Sequence, residues 1–573
     1  MCGILGIVGR NWESQLPGAA PQAALDLMQA RGPDAEGIYT DDDVWLGHRR
    51  LSIIDIGGAA QPMVSPDSGE VLIYNGEVVN FQSLAATLGL RGPASKSDTA
   101  VVLEACRRWG HGAYIQMRGM FALGKYDPKH KRLVAARDPL GIKPLYYAQV
   151  GDCLVFGSEI EPVRRVAGAT KIDTDAYVSY LRYSYIPEPA TIYANVRALR
   201  PGHYLDFCDG VLHVREYWRP GIGRTTSPAN ASVDVLKAAT ELSTIADVPV
   251  ASLLSGGIDS ALLASFLGRS TTYYNLRFPG DYDESRNAAY SAQKLGVPLE
   301  CVDAEMSLTR PETLALVGRV GQPFGDTSLF ACHRVFSRVA EGHKVCLSGD
   351  GADEVFAGYP MRKVIALQRA VGPGLRLGVG RRLAKHALMR ILRGYFHRTR
   401  LAVDEIVRPD VLRDHHDLYW EAIEQDVDWA LERSDDLVNI VSYLLVRRNL
   451  PNDMLTKVDR ASMTSSLEVR VPFLDHHVVE AGLLLPGHAK QTMNETKRPL
   501  RASLRRRGFE PVFLNTPKSG FGPAPQTWAD RVGPWPLEGD LSDVLSPSGR
   551  VTMERSIYGR MAGAWQAAAR GDL

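Results

Sequence analysis

One breaker-rich connector, Pro220-Gly-Ile-Gly-Arg-Thr-Thr-Ser-Pro228, divides the chain into two stretches of different texture. A single uniform architecture cannot hold both. Before it, short apolar runs cut by turn residues predict strands at 2–8, 44–54, 71–74, 121–126 and 132–136. Asp127-Pro-Lys-His130 predicts a hairpin between the last two. Helical periodicity occurs there at 25–30 and 98–109. After the connector, apolar runs alternate with helical segments: strand 248–254 then helix 261–267, strand 273–278 then helix 284–295, and strand 344–347. Such alternation builds βαβ units and a parallel sheet. Beyond Tyr359 the pattern is mostly helical. The expectation is an α+β domain over 2–215 and an α/β parallel-sheet domain with a helical extension over 229–573.

Composition narrows the function classes. Hydrophobic residues are 45% and charged residues 23%, which excludes disorder and fibrous architectures. Lys+Arg is 66 against Asp+Glu 65, so no global field favours nucleic acid or an anionic membrane. A local basic segment, 375–400, holds eight Lys/Arg and no acid, but no stacking aromatics accompany it in a nucleic-acid pattern, and an interface or solvated helix face is the better reading. No run approaches ~18 apolar residues, and Met1-Cys2-Gly3-Ile4 lacks a positive region ahead of an apolar core. The seven cysteines show no CxxC or Cys/His spacing, which argues against a disulfide framework or zinc. A cytoplasmic protein acting on small molecules, with no membrane or nucleic-acid partner, is expected.

Cys2 becomes the N-terminal residue if Met1 is removed, and a terminal thiol with its own α-amine is a self-contained nucleophile and base. An α-amine titrates near ~7.7–8.0, so part of it is a free base at neutral pH. The plain alternative is a small residue opening a strand. Arg50 offers a guanidinium suited to an α-carboxylate. Asn75-Gly76 can supply an amide and a backbone N–H to an oxyanion, or can simply be a hairpin turn. Glu77 and Asp98 can hold an α-ammonium, though Asp98 equally suits a helix cap.

In the second half, Ser255-Gly-Gly-Ile-Asp-Ser260 lies between an apolar strand and a helix. Glycines, hydroxyls and a helix N-terminus suit pyrophosphate, and the missing Gly-Lys-Ser/Thr excludes a Walker A loop. A tight strand-to-helix turn is the plain alternative. Leu347-Ser-Gly-Asp-Gly-Ala-Asp-Glu354 is a second glycine-rich loop after a strand. Loops at the carboxyl ends of neighbouring parallel strands line one crevice. Asp259 and Asp353 are hard oxygen donors suited to Mg²⁺ held largely by phosphates.

Residues 2–160 resemble the glutamine domain of the class II, N-terminal nucleophile amidotransferases. The resemblance rests on Cys2-Gly-Ile-Leu-Gly-Ile-Val-Gly9, Arg31-Gly-Pro-Asp34, Arg50-Leu-Ser-Ile53, Tyr74-Asn-Gly-Glu77, Ser97-Asp98, Arg137-Asp-Pro-Leu-Gly-Ile-Lys-Pro144 and Phe156-Gly-Ser-Glu159. It implies an N-terminal nucleophile hydrolase sandwich in which Cys2 attacks glutamine. Asn75 and Gly76 then stabilise the oxyanion, and Arg50, Glu77 and Asp98, with Asn75, bind the amino acid. The second half is similar to the synthetase domain of glutamine-dependent asparagine synthetase and β-lactam synthetase, through both loops above, Asp326-Thr-Ser328, Leu450-Pro-Asn-Asp-Met-Leu-Thr-Lys-Val-Asp-Arg460, Ser466-Leu-Glu-Val-Arg-Val-Pro-Phe-Leu-Asp475 and Pro517-Lys-Ser-Gly-Phe521. That likeness implies an ATP pyrophosphatase loop using ATP and Mg²⁺. Ser255, Gly257, Asp259 and Ser260 would take the pyrophosphate, and Leu254, Leu276, Ser348 and Gly349 the adenosine. Asp350 falls on an acid tied to acyl-adenylate formation, and Lys518 on a charge-stabilising lysine.

The implied reaction consumes glutamine, ATP and aspartate, with ammonia passed internally. Three places depart from the family pattern on the acceptor side: Val297-Pro-Leu-Glu-Cys301, Gln322 before Pro323, and Cys332-His333. They leave another carboxylate open as acceptor. The assembly state, including a homodimer, is also left open.

Overall fold

The computed structural model describes residues 2–18, 20–223, 229–278, 283–303, 309–375, 378–397, 399, 401–516 and 537–570. In the N-terminal half the strands are β1 (Gly3–Val8), β2 (Ala35–Asp41), β3 (Val44–Arg50), β4 (Met63–Val64), β5 (Val71–Val78) and β6 (Gly119–Asp127). They continue as β7 (Arg132–Arg137), β8 (Tyr146–Val150), β9 (Cys153–Gly157), β10 (Arg197–Ala198), β11 (His203–Cys208) and β12 (Val211–Glu216). Two six-stranded antiparallel sheets result, ordered β10-β8-β9-β1-β3-β2 and β12-β11-β7-β6-β5-β4. Ile4, Val8, Leu46, Ile73, Ala135, Leu154 and Phe156 from both sheets share one buried cluster, as alternate in-facing strand residues of a sandwich should. The expected hairpin is present, with Asp127 opposite Arg132.

Two local expectations change. Asn75-Gly76 is not a turn: it lies within β5, with Asn75 opposite Ala122 and Gly76 opposite Phe121. Glycine is needed there because a Cβ would stand 2.2 Å from the Met120 carbonyl oxygen. The strand expected over 44–54 stops at Arg50, because its guanidinium gathers the carbonyls of Ile54, Asp55 and Ile56 and curls the chain away from the sheet.

The C-terminal half is built on β13 (Val250–Leu253), β14 (Thr272–Arg277), β15 (Leu299–Asp303), β16 (Val345–Leu347) and β17 (Glu468–Arg470), all parallel in the order β15-β14-β13-β16-β17. The chain builds outward from β13 on one side and returns on the other with β16. The switch point therefore lies between β13 and β16, where open α/β sheets bind ligands. A helical layer follows. The helix Gly378–Phe396, from the basic segment, buries Ala384, Leu388, Leu392 and Phe396, and Lys385 pairs with Glu424 and Asp428 of the helix Leu418–Arg433. Lys385, and Arg393 over the Trp420 ring, thus belong to a helix–helix interface.

One continuous helical run passes from Leu437–Leu444 through Leu445–Met454 to Leu455–Met463. Its middle part is a π-helix containing Pro451, and the wide turn tolerates a residue with no N–H to donate. Among the described residues no helix is long and apolar enough to cross a membrane.

Candidate functional site

The first site gathers at the ends of β1, β3 and β5. Cys2 is 6% exposed, and its backbone nitrogen donates to Asn75 Oδ1 at 3.0 Å. Burial pushes the Cys2 thiol up from its ordinary value, opposed in part by a nearby N-terminal charge and the Leu51 N–H. Asn75 Nδ2 reaches Ser158 Oγ at 3.4 Å, which leaves a second amide hydrogen for an oxyanion. Arg50 spends three of its five N–H donors on the loop carbonyls, so two remain for a carboxylate. Glu77 is 3% exposed, and its Oε1 has no hydrogen-bond partner. Burial, then the neighbouring Asp98, raises the Glu77 carboxyl well above the usual range. Asp98 does not cap its helix: Ser97 does, accepting from Ala100 N, and Asp98 Oδ1 accepts from Thr99 N at 2.7 Å. The two acids lie buried and within electrostatic reach of each other, so a cation arriving beside them would favour their ionised forms.

A pH dependence follows. Burial raises Asp98 to about 6, so the empty site favours the protonated acid below that pH. A bound ammonium needs the carboxylate, and binding must then expel a proton. The KM for an α-amino substrate is therefore expected to rise as pH falls through about 6, by up to ~10-fold per unit. Initial rates between pH 5 and 8 check this; a flat KM profile across the range contradicts it.

The second site is an open crevice at the carboxyl ends of β13, β14 and β16, with about 1170 Å³ of space counting the solvent at its mouth. Ser255, Asp259, Ser260, Leu276, Ser348, Gly349, Asp350 and Asp353 all line it, so most of the residues expected from sequence converge. Within the loop, Ser260 Oγ accepts from Ser255 N and donates to the Gly257 carbonyl, both at 3.1 Å. Gly256 has φ +90°, and a Cβ there would meet the Glu284 carbonyl at 2.5 Å. The helix Ile258–Leu267 starts at Gly257 with no side-chain cap, so its first N–H groups and dipole face the cavity as an anion seat.

Two expected residues do not line the cavity, and a third lies outside the described residues. Leu254 is buried in the core and donates its N–H to the Tyr274 carbonyl; its neighbour Leu253 lines the cavity instead, because side chains alternate along β13. Gly257 acts through the helix start rather than the cavity wall. Lys518 lies outside the described residues. Of the three acceptor-side departures, only Cys332 lines the cavity, its thiol pushed up to about 12 by burial. Gln322 instead accepts from Ile192 N of the other half, and His333 pairs with Thr464. Cys301 lies on the outermost strand, β15, and is exposed.

Sequence reasoning missed Lys497. Its Nζ bridges Asp259 Oδ2 at 2.6 Å and Asp353 Oδ1 at 2.7 Å, so both acids aim at one cation position. Two carboxylates with phosphate oxygens are a normal Mg²⁺ ligand set, and these residues fit that role if the ammonium gives way. Among the described residues no group of three or more His, Cys, Asp or Glu could hold a metal without such help.

Polar contacts, the Arg31–Asp459 pair among them buried, join the two halves. Arg31 donates to the Cys2 carbonyl through Nε at 3.1 Å and to both Asp459 oxygens, at 2.8 and 3.0 Å. Lys344 pairs with Asp34, Arg118 with Asp475, and Asn452 accepts from Glu188 N. None of these partners is near the other in sequence, so no local pattern announces them.

Comparison with known proteins agrees with this geometry. A glutamine amidotransferase domain model matches residues 1–218, and an asparagine synthase model matches residues 232–564, more than half of the chain. Asparagine synthetase [glutamine-hydrolyzing] 1 of Bacillus subtilis is 29% identical, over 91% of this chain and 87% of that protein. A putative asparagine synthetase [glutamine-hydrolyzing] of Mycobacterium bovis is 30% identical with the same coverage. Amidase chry2 of Gibberella zeae is 28% identical over 91% of this chain and 89% of its own length. With two sites built on these two matched regions, the chain belongs to the asparagine synthase family and is a carbon–nitrogen ligase carrying its own glutamine amidotransferase domain.

Proposed function

We propose that the protein is a glutamine-hydrolysing asparagine synthetase: ATP, L-aspartate, L-glutamine and water yield L-asparagine, L-glutamate, AMP and diphosphate. The observation that carries this reading is the pairing, in one chain, of a buried Cys2–Asn75–Glu77–Asp98 site with a serine- and glycine-lined crevice at a parallel-sheet switch point. The working domains are proposed as 2–215 and 229–573.

In the first, Cys2 Sγ attacks the glutamine carboxamide. Asn75 and the Gly76 N–H stabilise the oxyanion, and a preorganised donor of this kind is worth roughly 10²–10³ in rate. Arg50 takes the α-carboxylate; Glu77 and Asp98 take the α-ammonium. Ammonia leaves, and water releases glutamate from the thioester. In the second, an acceptor carboxylate oxygen attacks the α-phosphorus of ATP and expels pyrophosphate toward Ser255, Ser260 and the helix start at Gly257. Leu253, Leu276, Ser348 and Gly349 hold the adenosine. Ammonia then attacks the acyl carbon and AMP leaves, with Asp350 beside the reacting group. Mg²⁺, when bound by Asp259 and Asp353, would neutralise phosphate charge, and Lys518 is proposed to add to it. Delivering ammonia internally avoids its protonation in bulk water.

A second acceptor is favoured by one observation. Phe278, Val335, Phe336 and Met454 give the cavity that Cys332 lines a substantial apolar wall, although Lys457 and Asp350 also act on that thiol. An enzyme amidating a different, more apolar carboxylate in specialised metabolism would suit that wall. Glutamine, ATP and Mg²⁺ incubated with a panel of carboxylic acids will distinguish the two by pyrophosphate release. A response to aspartate alone is expected. Silence with aspartate and release with another acid moves the protein to the second reading.

A further inference from the structure

Arg470 belongs to both sites at once. Its backbone lies at the end of β17, opposite Leu347, and its carbonyl accepts from Ser348 N at 2.9 Å. Ser348 in turn donates its hydroxyl to Asp350 at 2.7 Å, so the Arg470 carbonyl helps set the loop that lines the nucleotide cavity. The side chain is held mainly within its own half and reaches the other half through Nη2. Nη2 lies 3.3 Å from Glu77 Oε2, Nε donates to Glu468 Oε1 at 2.7 Å, and Nη1 donates to the carbonyls of Ser243 and Ile245 at 3.0 and 2.6 Å.

The arrangement is buried and incompletely satisfied. The Arg470 side chain is 2% exposed, and neither its Nη2 nor Glu77 Oε1 has a hydrogen-bond partner. Arg470 is thus shared between Glu77 and Glu468, with Asp98 acting on both it and Glu77. An α-ammonium arriving at Glu77 brings a second cation to the same acid. That weakens the hold of Glu77 on Nη2 and leaves the guanidinium to Glu468 and the two carbonyls. The backbone carbonyl that restrains Ser348 is part of the same residue, so the change reaches the nucleotide loop with no intermediary.

We propose that Arg470 is a positioning residue that couples occupancy of the glutamine pocket to the conformation of the Ser348–Asp350 loop. The inference rests on the two sites proposed above. Coupling of this kind is reciprocal: if glutamine changes the affinity for ATP, ATP changes the affinity for glutamine by the same factor.

Calorimetric titration of the Cys2→Ala protein tests it, since glutamine then survives as a ligand. ATP is titrated with and without saturating glutamine, in the absence of any acceptor. A change of about fivefold or more in ATP affinity is expected. In Cys2→Ala/Arg470→Lys each ligand should still bind alone, while the factor collapses toward one. A loss of folding alone would not produce that pattern. Glu468→Gln in the same background, which removes the negative charge that shares Arg470 with Glu77 and keeps Arg470 itself, should lower the factor as well and serves if Arg470→Lys does not fold. Undiminished coupling in the variants overturns the proposal. So does a factor of one in Cys2→Ala itself while both ligands bind. If neither ligand binds Cys2→Ala, the functional reading fails first and the coupling falls with it.

Discussion

Cys2→Ala is expected to remove glutamine-driven synthesis, by on the order of 10³-fold or more in kcat, while ammonia with ATP still releases pyrophosphate. In the proposed reaction Cys2 Sγ is the one group of the first site that forms and breaks bonds, so nothing else there would replace it. Its thiol is buried and pushed up, which leaves it protonated until a base is at hand. The base proposed is the α-amine that Met1 removal would create on Cys2, at the nitrogen that here donates as a backbone N–H to Asn75 Oδ1. Glutamate and pyrophosphate are measured separately, with intact mass reporting whether Met1 is present. Glutamate release that persists in Cys2→Ala would falsify the assignment.

Asp459→Asn is expected to be the most destabilising conservative change in the molecule, at about 3–5 kcal/mol, the cost of breaking a buried ion pair by removing one partner. Burial alone would raise this carboxyl, yet Arg31 and Arg460 hold it well below the usual carboxylate range. Lys143 Nζ is a third cation, 3.9 Å away. An amide of the same shape leaves all three facing one another in a dry junction. Because Arg31 also holds the Cys2 carbonyl, the variant should lose glutamine turnover ahead of ammonia-dependent turnover. Chemical denaturation of the whole chain, followed together with both activities, checks the claim. A midpoint unchanged from the parent protein contradicts it.

What the sequence disclosed depended on range. The helix Asp98–Trp109 was legible to the residue, because twelve residues give enough turns for a periodicity to register. The nucleotide loop was legible because its glycines, serines and acid are contiguous. By contrast β17 reads Glu-Val-Arg, with no apolar run to mark it as the equally short β16 has in Val-Cys-Leu, yet it completes the sheet and carries Arg470. Leu253 and Leu254 are equally apolar, and only the pleat decides which one faces the cavity. Lys497 meets Asp259 across a separation of 238 residues, and Arg31 meets Asp459 across 428. Such pairs leave no trace in a local window. The carboxylates could be expected to act, but their cationic partners could not be named.

The π-wound stretch Leu445–Met454 fixes more than its own shape. Downstream of it, Lys457 donates to Asp326 and Ser328 at 3.0 and 2.8 Å, and Asp459 grips Arg31. Each residue carries a helix round by roughly a quarter turn, so adding or removing one without rewinding the stretch would swing both side chains off their partners. The segment works as a phase setter. Its length is therefore intolerant of single insertions or deletions even where its composition is free to vary, and any homologue that gained or lost a residue here would have to rebuild the junction beneath it.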